Sequence, residues 1–223
     1  RAFEQAGFTV EQVVIKSSSA EAFDASVLAL AKGIDAAQVF AVPHGEYFGG
    51  AIRGVAGVMA ELLQLDPVKQ ALQRLRVRQG FILGFGAGFA ALIEAGLFGD
   101  LEGLLSFRTN KHGRYRHVAQ DLRVVRNSYL TDASCPVYTA PLNGKHMTLV
   151  CEDLERLEEQ VDIVAVTAQN YLPGNCGVDT IQSKDGHVIG MKTLVERMTD
   201  GLYRNVPLLG IPKHFEILSQ YFE

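Results

Sequence analysis

One segment of the sequence has the spacing of a nucleophile elbow, in which a strand, a sharp turn and a helix hold a reactive side chain above the edge of a sheet. Residues 80–92 read GFILGFGAGFAAL, an apolar strand followed at once by glycines and then by helix-forming residues. Such a turn presents a serine or cysteine for attack on an acyl group, and its glycines let the helix approach the strand closely. The turn of this chain contains no serine, cysteine or threonine. The sequence therefore predicts the scaffold for covalent acyl transfer without the nucleophile that this chemistry needs.

The elements around this turn alternate in a way that predicts an α/β fold. Apolar runs at residues 38–42 and 80–85 are typical of buried parallel strands. The stretches 20–34, 55–65 and 88–95 have the apolar spacing of helices that cover such a sheet. The first half of the chain therefore predicts a parallel sheet with helices on both faces.

The second half predicts shorter strands, at residues 122–125, 137–140, 147–151, 161–166 and 187–191. Their connections are mostly too short for helical crossovers, so we expect antiparallel pairs, with a hairpin turn at Asp185-Gly186. The predicted fold is thus α/β, with a mostly parallel central sheet flanked by helices and additional short antiparallel strands in the second half.

Local signals predict three further elements. An apolar run at residues 13–15 indicates a short strand. Asp66 is expected to cap a helix whose first residue is Pro67. A last helix is expected at about residues 213–221.

Composition excludes several classes of function. The 223 residues are 48% apolar and 21% charged, with a net charge of −4, which disfavours nucleic acid as a partner. No apolar run reaches the roughly 20 residues of a membrane span, so no membrane contact is expected. The three cysteines, Cys135, Cys151 and Cys176, stand far apart without a CxxC motif, which argues against zinc and for a reducing, cytoplasmic location.

The elbow resembles that of the class I glutamine amidotransferases, specifically the domain at the end of single-chain phosphoribosylformylglycinamidine (FGAM) synthases. The family's run is close to G-L-I-L-G-I-C-N-G-F-Q-A-L-I, and Gly84, Gly88 and Phe89 are among the residues that match it. Six further blocks resemble the family in the same order, at residues 2–7, 42–46, 106–110, 173–175, 186–190 with 196–197, and 200–206. These blocks occur in the same order over nearly the whole chain. Together they identify the family far more specifically than any single block would.

The resemblance implies that the catalytic site is degenerate. In this family a cysteine attacks the side-chain amide of glutamine, a histidine activates the cysteine, and a glutamate orients the histidine. The cysteine position falls on Gly86 and the histidine position on Leu194, and only the glutamate is kept, as Glu196. The loop that stabilises the oxyanion falls on His44 and Gly45, with His44 where the family has its first glycine. Since nucleophile and base are both missing, no catalytic residue and no glutamine hydrolysis by the family mechanism are expected.

The resemblance also implies a larger assembly. The family's first strand would precede Arg1, so residues 1–223 are expected to be one glutamine amidotransferase-like domain, a fragment of a longer chain. The expected partners are upstream synthetase domains of the same polypeptide or complex. No cofactor or metal is expected in this chain, because ATP and magnesium would bind in those domains. The expected function is a structural or regulatory one, in cytoplasmic purine biosynthesis.

Other interpretations stay open. The chain could be the ordinary C-terminal domain of an ATP-dependent ligase that takes ammonia from elsewhere, or a non-enzymatic module that binds a partner or metabolite. His44 and Glu46 could form a new polar site or be solvated loop residues. Cys176 is expected to be the most exposed candidate for a relocated nucleophile, whereas Cys151 is expected in the core. The basic run at residues 108–117 suits a phosphate, an acidic neighbouring domain or a solvated loop.

Overall fold

The computed structural model describes residues 1–45, 52–132, 134–168, 176–198 and 213–223, without the side chains of residues 52–55. Glu46 and the sequence blocks 173–175 and 200–206 lie outside the described residues.

The described ranges contain α-helices, β-strands and a 3₁₀ turn. The helices are α1 (Ala2–Gln5), α2 (Ala20–Ala36), α3 (Ile52–Gln64), α4 (Asp66–Val77), α5 (Ala87–Glu94), α6 (Leu154–Gln160) and α7 (His214–Gln220). The strands are β1 (Val39–Val42), β2 (Phe81–Phe85), β3 (Leu105–Arg108), β4 (Arg116–Val124), β5 (Val137–Gly144), β6 (Thr148–Cys151), β7 (Val161–Thr167), β8 (Val178–Ser183) and β9 (Val188–Met191). The 3₁₀ turn is Val195–Arg197. None of the helices in the described part of the chain is long and apolar enough to cross a membrane.

One sheet of seven strands, in the order β1-β2-β9-β8-β7-β4-β5, forms the centre of the fold. The strands β1, β2 and β9 pair in parallel, whereas every later neighbour in this order pairs antiparallel. Each antiparallel pairing reverses the strand direction, and two in succession return it to the original. Strands β7 and β5 therefore run in the same direction as β1, β2 and β9. The predicted α/β class is therefore confirmed, and the antiparallel strands of the second half extend the same sheet. Strands β3 and β6 form a separate antiparallel ladder.

The strand β2 is buried on both of its faces. Phe81, Leu83 and Phe85 pack in one apolar cluster, together with Phe215 of α7. Ile82 packs in the other cluster, which contains the buried faces of α2, α4 and α5. Because side chains alternate between the two faces of a strand, helices on both sides require an apolar residue at every position, and this explains the continuous run that the sequence shows.

The predicted strand at residues 13–15 is wrong. The segment forms no strand, and Val13 and Ile15 instead pack, half-buried, against the cluster that includes α2. The backbone N–H of Lys16 donates to the hydroxyl of Ser26 on that helix, at 3.1 Å. A short apolar run indicates burial, but it cannot show whether a neighbouring strand is present to pair with it.

Some boundaries also differ from the prediction. Asp66 is the first residue of α4 and not its cap, because the carbonyl of Leu65 accepts the first helical hydrogen bond, from the N–H of Lys69 at 2.9 Å. Pro67 lies in the first turn, where its missing N–H costs nothing. Strand β4 begins at Arg116 and not at residue 122, because its pairing with β5 extends into the basic run. Strands β3 and β8 were not predicted from the sequence.

Candidate functional site

Three neighbouring parallel strands end at the same edge of the sheet and carry the positions that the resemblance singled out. His44 and the buried Gly45 follow β1, Gly86 follows β2, and Leu194 and Glu196 lie in the turn after β9. Ligands of open α/β sheets bind at the carboxyl ends of the strands. The fold therefore brings the predicted site residues together at the edge where a functional site is expected.

Gly86 forms the sharp turn that joins β2 to α5. Its backbone has φ 53° and ψ −110°, a conformation that favours glycine. Its N–H donates to the carbonyl of Met191 at 2.8 Å, and its carbonyl accepts from the N–H of Ala90 at 3.1 Å. At Gly88 a side chain would collide with the backbone carbonyl of Val42, so the helix can approach β1 closely only because this residue is glycine. The geometry expected for a nucleophile elbow is thus present.

The space above this turn is already filled. A Cβ atom added at Gly86 would collide with Nδ1 of His44 and would lie 2.8 Å from Cδ2 of Leu194. Carbon atoms in contact normally stay about 3.5–4.0 Å apart. The two side chains therefore occupy the volume into which a nucleophile would project.

His44 also takes up a backbone donor at the turn. Its Nδ1 accepts a hydrogen bond from the N–H of Ala87 at 3.1 Å, and its carbonyl accepts from the guanidinium of Arg197 at 3.1 Å. Burial, together with the charge of Arg197, lowers the pKa of His44 to about 4. The imidazole is therefore neutral at pH 7, with its proton on Nε2. In a nucleophile elbow the N–H that follows the nucleophile stabilises the oxyanion, and here the imidazole holds it.

Glu196 is a buried acid in the turn after β9. Leu194, which the resemblance aligns with the base, is fully buried and apolar, and its N–H donates to the carbonyl of Pro141 at 2.8 Å. Neither carboxylate oxygen of Glu196 accepts a hydrogen bond of normal geometry from the described residues, and Nε of Arg197 lies 3.8 Å from one of them. Burial raises the pKa of Glu196 to about 7. Its own backbone N–H, the charge of Arg197 and the N–H of His44 each act in the opposite direction and lower this pKa. The glutamate is thus a buried acid with no base to orient.

Replacing Glu196 by glutamine should stabilise the protein at alkaline pH and leave its stability nearly unchanged at pH 5. The folded pKa of about 7 lies above the unfolded value, so the folded state holds the proton more tightly and loses stability as the pH rises from about 4.5 through 7. A shift of this size corresponds to about 3 kcal/mol at pH 8, which Glu196→Gln would recover. Urea unfolding of both proteins at pH 5, 6, 7 and 8 measures the difference.

Comparing the parent protein with Glu196→Gln at each pH cancels the contribution of other buried titratable groups to the unfolding free energy. Burial lowers the pKa of His44 and of His214 to about 4, so both histidines make the folded state less stable as the pH falls from about 6.5 to 4. This trend opposes that of Glu196 and is shared by the two proteins. A difference in unfolding free energy that stays constant with pH would show that Glu196 does not titrate as proposed.

Two buried side chains of opposite charge, which the sequence did not predict, lie next to this edge. Asp179 of β8 and Lys192, which follows β9, are both fully buried. The Asp179 carboxylate accepts hydrogen bonds from the N–H of Thr193 at 3.2 Å, from its hydroxyl at 3.0 Å and from the hydroxyl of Thr180 at 2.9 Å. Burial raises the pKa of Asp179 and lowers the pKa of Lys192. The charge of Lys192 acts in the opposite direction on Asp179, and the charge of Asp179 does the same on Lys192. The signal in the sequence was a lysine within the mostly apolar run at residues 188–195, whereas β8 itself reads VDTIQS and does not distinguish Asp179.

The cysteines show no sign of an activated thiol. Cys135, Cys151 and Cys176 are all partly buried, and burial raises the pKa of each thiol. Reactive cysteines have a lowered pKa. The raised pKa values of these three thiols therefore disfavour a relocated nucleophile. Cys151 lies at the margin of the core and not inside it. Within the described ranges, no three His, Cys, Asp or Glu side chains lie together as metal ligands would.

The basic run lies between β3 and the beginning of β4. Lys111, His112 and Arg114 are exposed, and Arg108 pairs with Glu152 at 2.9 Å. The exposure is compatible with a solvated loop and with a contact surface, so both interpretations stay predictions.

The chain is similar in sequence and in fold to glutamine amidotransferase domains. A family profile described as the CobB/CobQ-like glutamine amidotransferase domain matches residues 1–211. Among solved structures, PurLQS from Thermotoga maritima superposes with a TM-score of 0.63 and 19% identity, covering 83% of this chain and 80% of that chain. The glutaminase domain of Trypanosoma brucei CTPS, solved with bound acivicin, superposes with a TM-score of 0.53 and 14% identity, covering 98% of this chain and 83% of that chain. A comparison with curated protein sequences gave no significant match.

Proposed function

The chain belongs to the CobB/CobQ-like glutamine amidotransferase domain family, and from this premise we propose that it is a member that does not cleave glutamine. The filled turn is the observation that supports the proposal. A side chain at Gly86 has no room, because the imidazole of His44 and the side chain of Leu194 occupy the space above it. The N–H of Ala87 is held by His44, and no imidazole in the described part of the chain is hydrogen-bonded to Glu196. Without a nucleophile, a base or a free oxyanion donor, no acyl-enzyme forms.

The role that remains is structural or regulatory, in an FGAM synthase-like protein of purine biosynthesis. The collinear sequence blocks support this assignment, and so does the likeness in fold to PurLQS from Thermotoga maritima. Its partners are synthetase domains, which carry the ATP and magnesium. The nitrogen of the product then comes from free ammonia or from a separate glutaminase.

Incubation of the chain with glutamine should release no more glutamate than buffer alone. The reason is the absence of a side chain that could attack the amide, since loss of a catalytic nucleophile alone costs about 10⁶-fold in well-studied hydrolases. The glutaminase domain of Trypanosoma brucei CTPS serves as the active control. Glutamate release that iodoacetamide abolishes, with or without an accompanying synthetase domain, would reject the proposal.

A second measurement tests the assignment to purine biosynthesis separately. The full protein that contains this domain is supplied with ATP, magnesium, formylglycinamide ribonucleotide and either ammonia or glutamine. Formation of the amidine from ammonia, and none from glutamine, is the expected result. Failure with both nitrogen sources would reject the synthase assignment while leaving the absence of glutaminase activity intact.

A further inference from the structure

Two of the three cysteines come together in the fold although they are distant in sequence. Cys151 ends β6, and Cys176 lies just before β8. The N–H of Cys176 donates to the carbonyl of Leu149 on β6 at 2.8 Å, so the Cys176 backbone lies alongside that strand. Both cysteines pack, half-buried, against the same apolar cluster, and both are free thiols.

This contact places the two cysteines beside each other. The N–H of Cys176 is bonded to the carbonyl of Leu149, and the N–H of Cys151 faces the Cys176 thiol. Both side chains pack against the same apolar cluster, and the backbones of neighbouring strands lie about 4.8 Å apart. Disulfides span Cα separations of about 4.4–6.8 Å.

We propose that Cys151 and Cys176 are a site of reversible oxidative modification, at which a disulfide bond links the end of β6 to the segment that enters β8. In the first step the sulfur of one cysteine attacks oxidised glutathione, breaks its S–S bond and releases one glutathione thiolate. The sulfur of the other cysteine then attacks the mixed disulfide and releases the second glutathione. The two thiol protons pass to the released thiolates, so two cysteines and one glutathione disulfide give one protein disulfide and two glutathiones.

Neighbouring groups act on both thiols. The N–H groups of Val178 and Cys151 and the ammonium of Lys192 favour the thiolate of Cys176. The N–H of Asp153 favours the thiolate of Cys151, whereas the charges of Cys176, Asp153 and Glu152 disfavour it. Burial raises the pKa of both thiols, so exchange is slow at neutral pH and faster under mildly alkaline conditions.

Peptide mapping of the native chain tests the proposal. The chain is equilibrated at mildly alkaline pH with oxidised glutathione, alkylated with iodoacetamide and digested with trypsin without reductant. Cleavage after Lys145, Arg156 and Lys184 places Cys151 in peptide 146–156 and Cys176 in peptide 157–184. The expected product joins these two peptides, with a mass about 2 Da below their sum because two hydrogens are lost, and dithiothreitol separates them. Cys135, in peptide 127–145, should remain alkylated or carry glutathione alone.

Variants distinguish the outcomes. Cys135→Ser should form the linked product as the parent does, whereas Cys151→Ser should stop at a glutathione adduct on Cys176. The proposal is overturned if the parent yields only alkylated or singly glutathionylated peptides. A linked product that forms only in urea, or one that links Cys135, would overturn it as well.

Discussion

Replacing Asp179 by alanine should lower the free energy of unfolding by about 3–5 kcal/mol, because the substitution removes the negative charge that stabilises the buried ammonium group of Lys192. Lys192 is fully buried, and its pKa is lowered by burial and raised again by Asp179. The hydroxyls of Thr180 and Thr193 would lose their acceptor at the same time. Urea unfolding at pH 7 measures the effect.

A matched set of variants separates this effect from ordinary truncation. Lys192→Met should cost less than Asp179→Ala, because the remaining carboxyl keeps its hydrogen bonds from Thr193 and, with its raised pKa, takes up a proton more readily. The double variant should be more stable than the sum of the two single changes predicts, by at least about 1 kcal/mol. Strictly additive effects would contradict a coupled pair.

An exposed ion pair in the same chain provides the control for burial. Arg74 donates two hydrogen bonds to Asp35, at 2.8 and 2.7 Å, but both side chains are well exposed to solvent. Exposed pairs contribute about 0–1 kcal/mol. Asp35→Ala should therefore change the unfolding free energy by less than about 1 kcal/mol, although Arg74 is hydrogen-bonded to Asp35 through two nitrogen atoms.

The sequence could predict the elbow because every feature of an elbow is local. An apolar run, a glycine at the turn and glycines in the following helix lie within a few residues of one another, and each has a direct steric cause. The burial of both faces of β2 could be predicted in the same way, from five consecutive apolar residues. The resemblance then located His44, Leu194 and Glu196, which periodicity alone would not have distinguished from other loop residues.

What fills the elbow could not be predicted from the sequence. The contact between the imidazole of His44 and the turn at Gly86 joins residues from different strands, and its direction depends on the side-chain conformation. The same limit applies to Asp179 and Lys192, whose pairing depends on the register of β8 with β9. It also explains the error at residues 13–15, where an apolar run predicted a strand but could not show whether a pairing partner was present. Local pattern specifies elements, whereas contacts between elements follow from the packing of the whole domain.

Introducing a cysteine by Gly86→Cys should not, by itself, restore glutamine hydrolysis. The new Cβ would collide with Nδ1 of His44 and lie 2.8 Å from Leu194, and the backbone would be held at a φ of 53° that only glycine adopts freely. We expect glutamate release to stay at background and the unfolding free energy to fall by about 1–3 kcal/mol, as in other overpacked sites. Both quantities can be measured on the same preparation.

Adding His44→Gly should relieve the collision and free the N–H of Ala87, and adding Leu194→His should supply a base beside the retained Glu196. Since a positioned base contributes about 10²–10⁴-fold, the triple variant should release glutamate at least about 100 times faster than the matched double variant that keeps Leu194. Substituting Glu196→Gln in the triple variant should remove part of this gain, because the new imidazole would lose the group that orients it. If Gly86→Cys were active with His44 and Leu194 in place, the filled turn could not be the cause of inactivity. If the folded triple variant matched the double, the missing base could not be the remaining barrier.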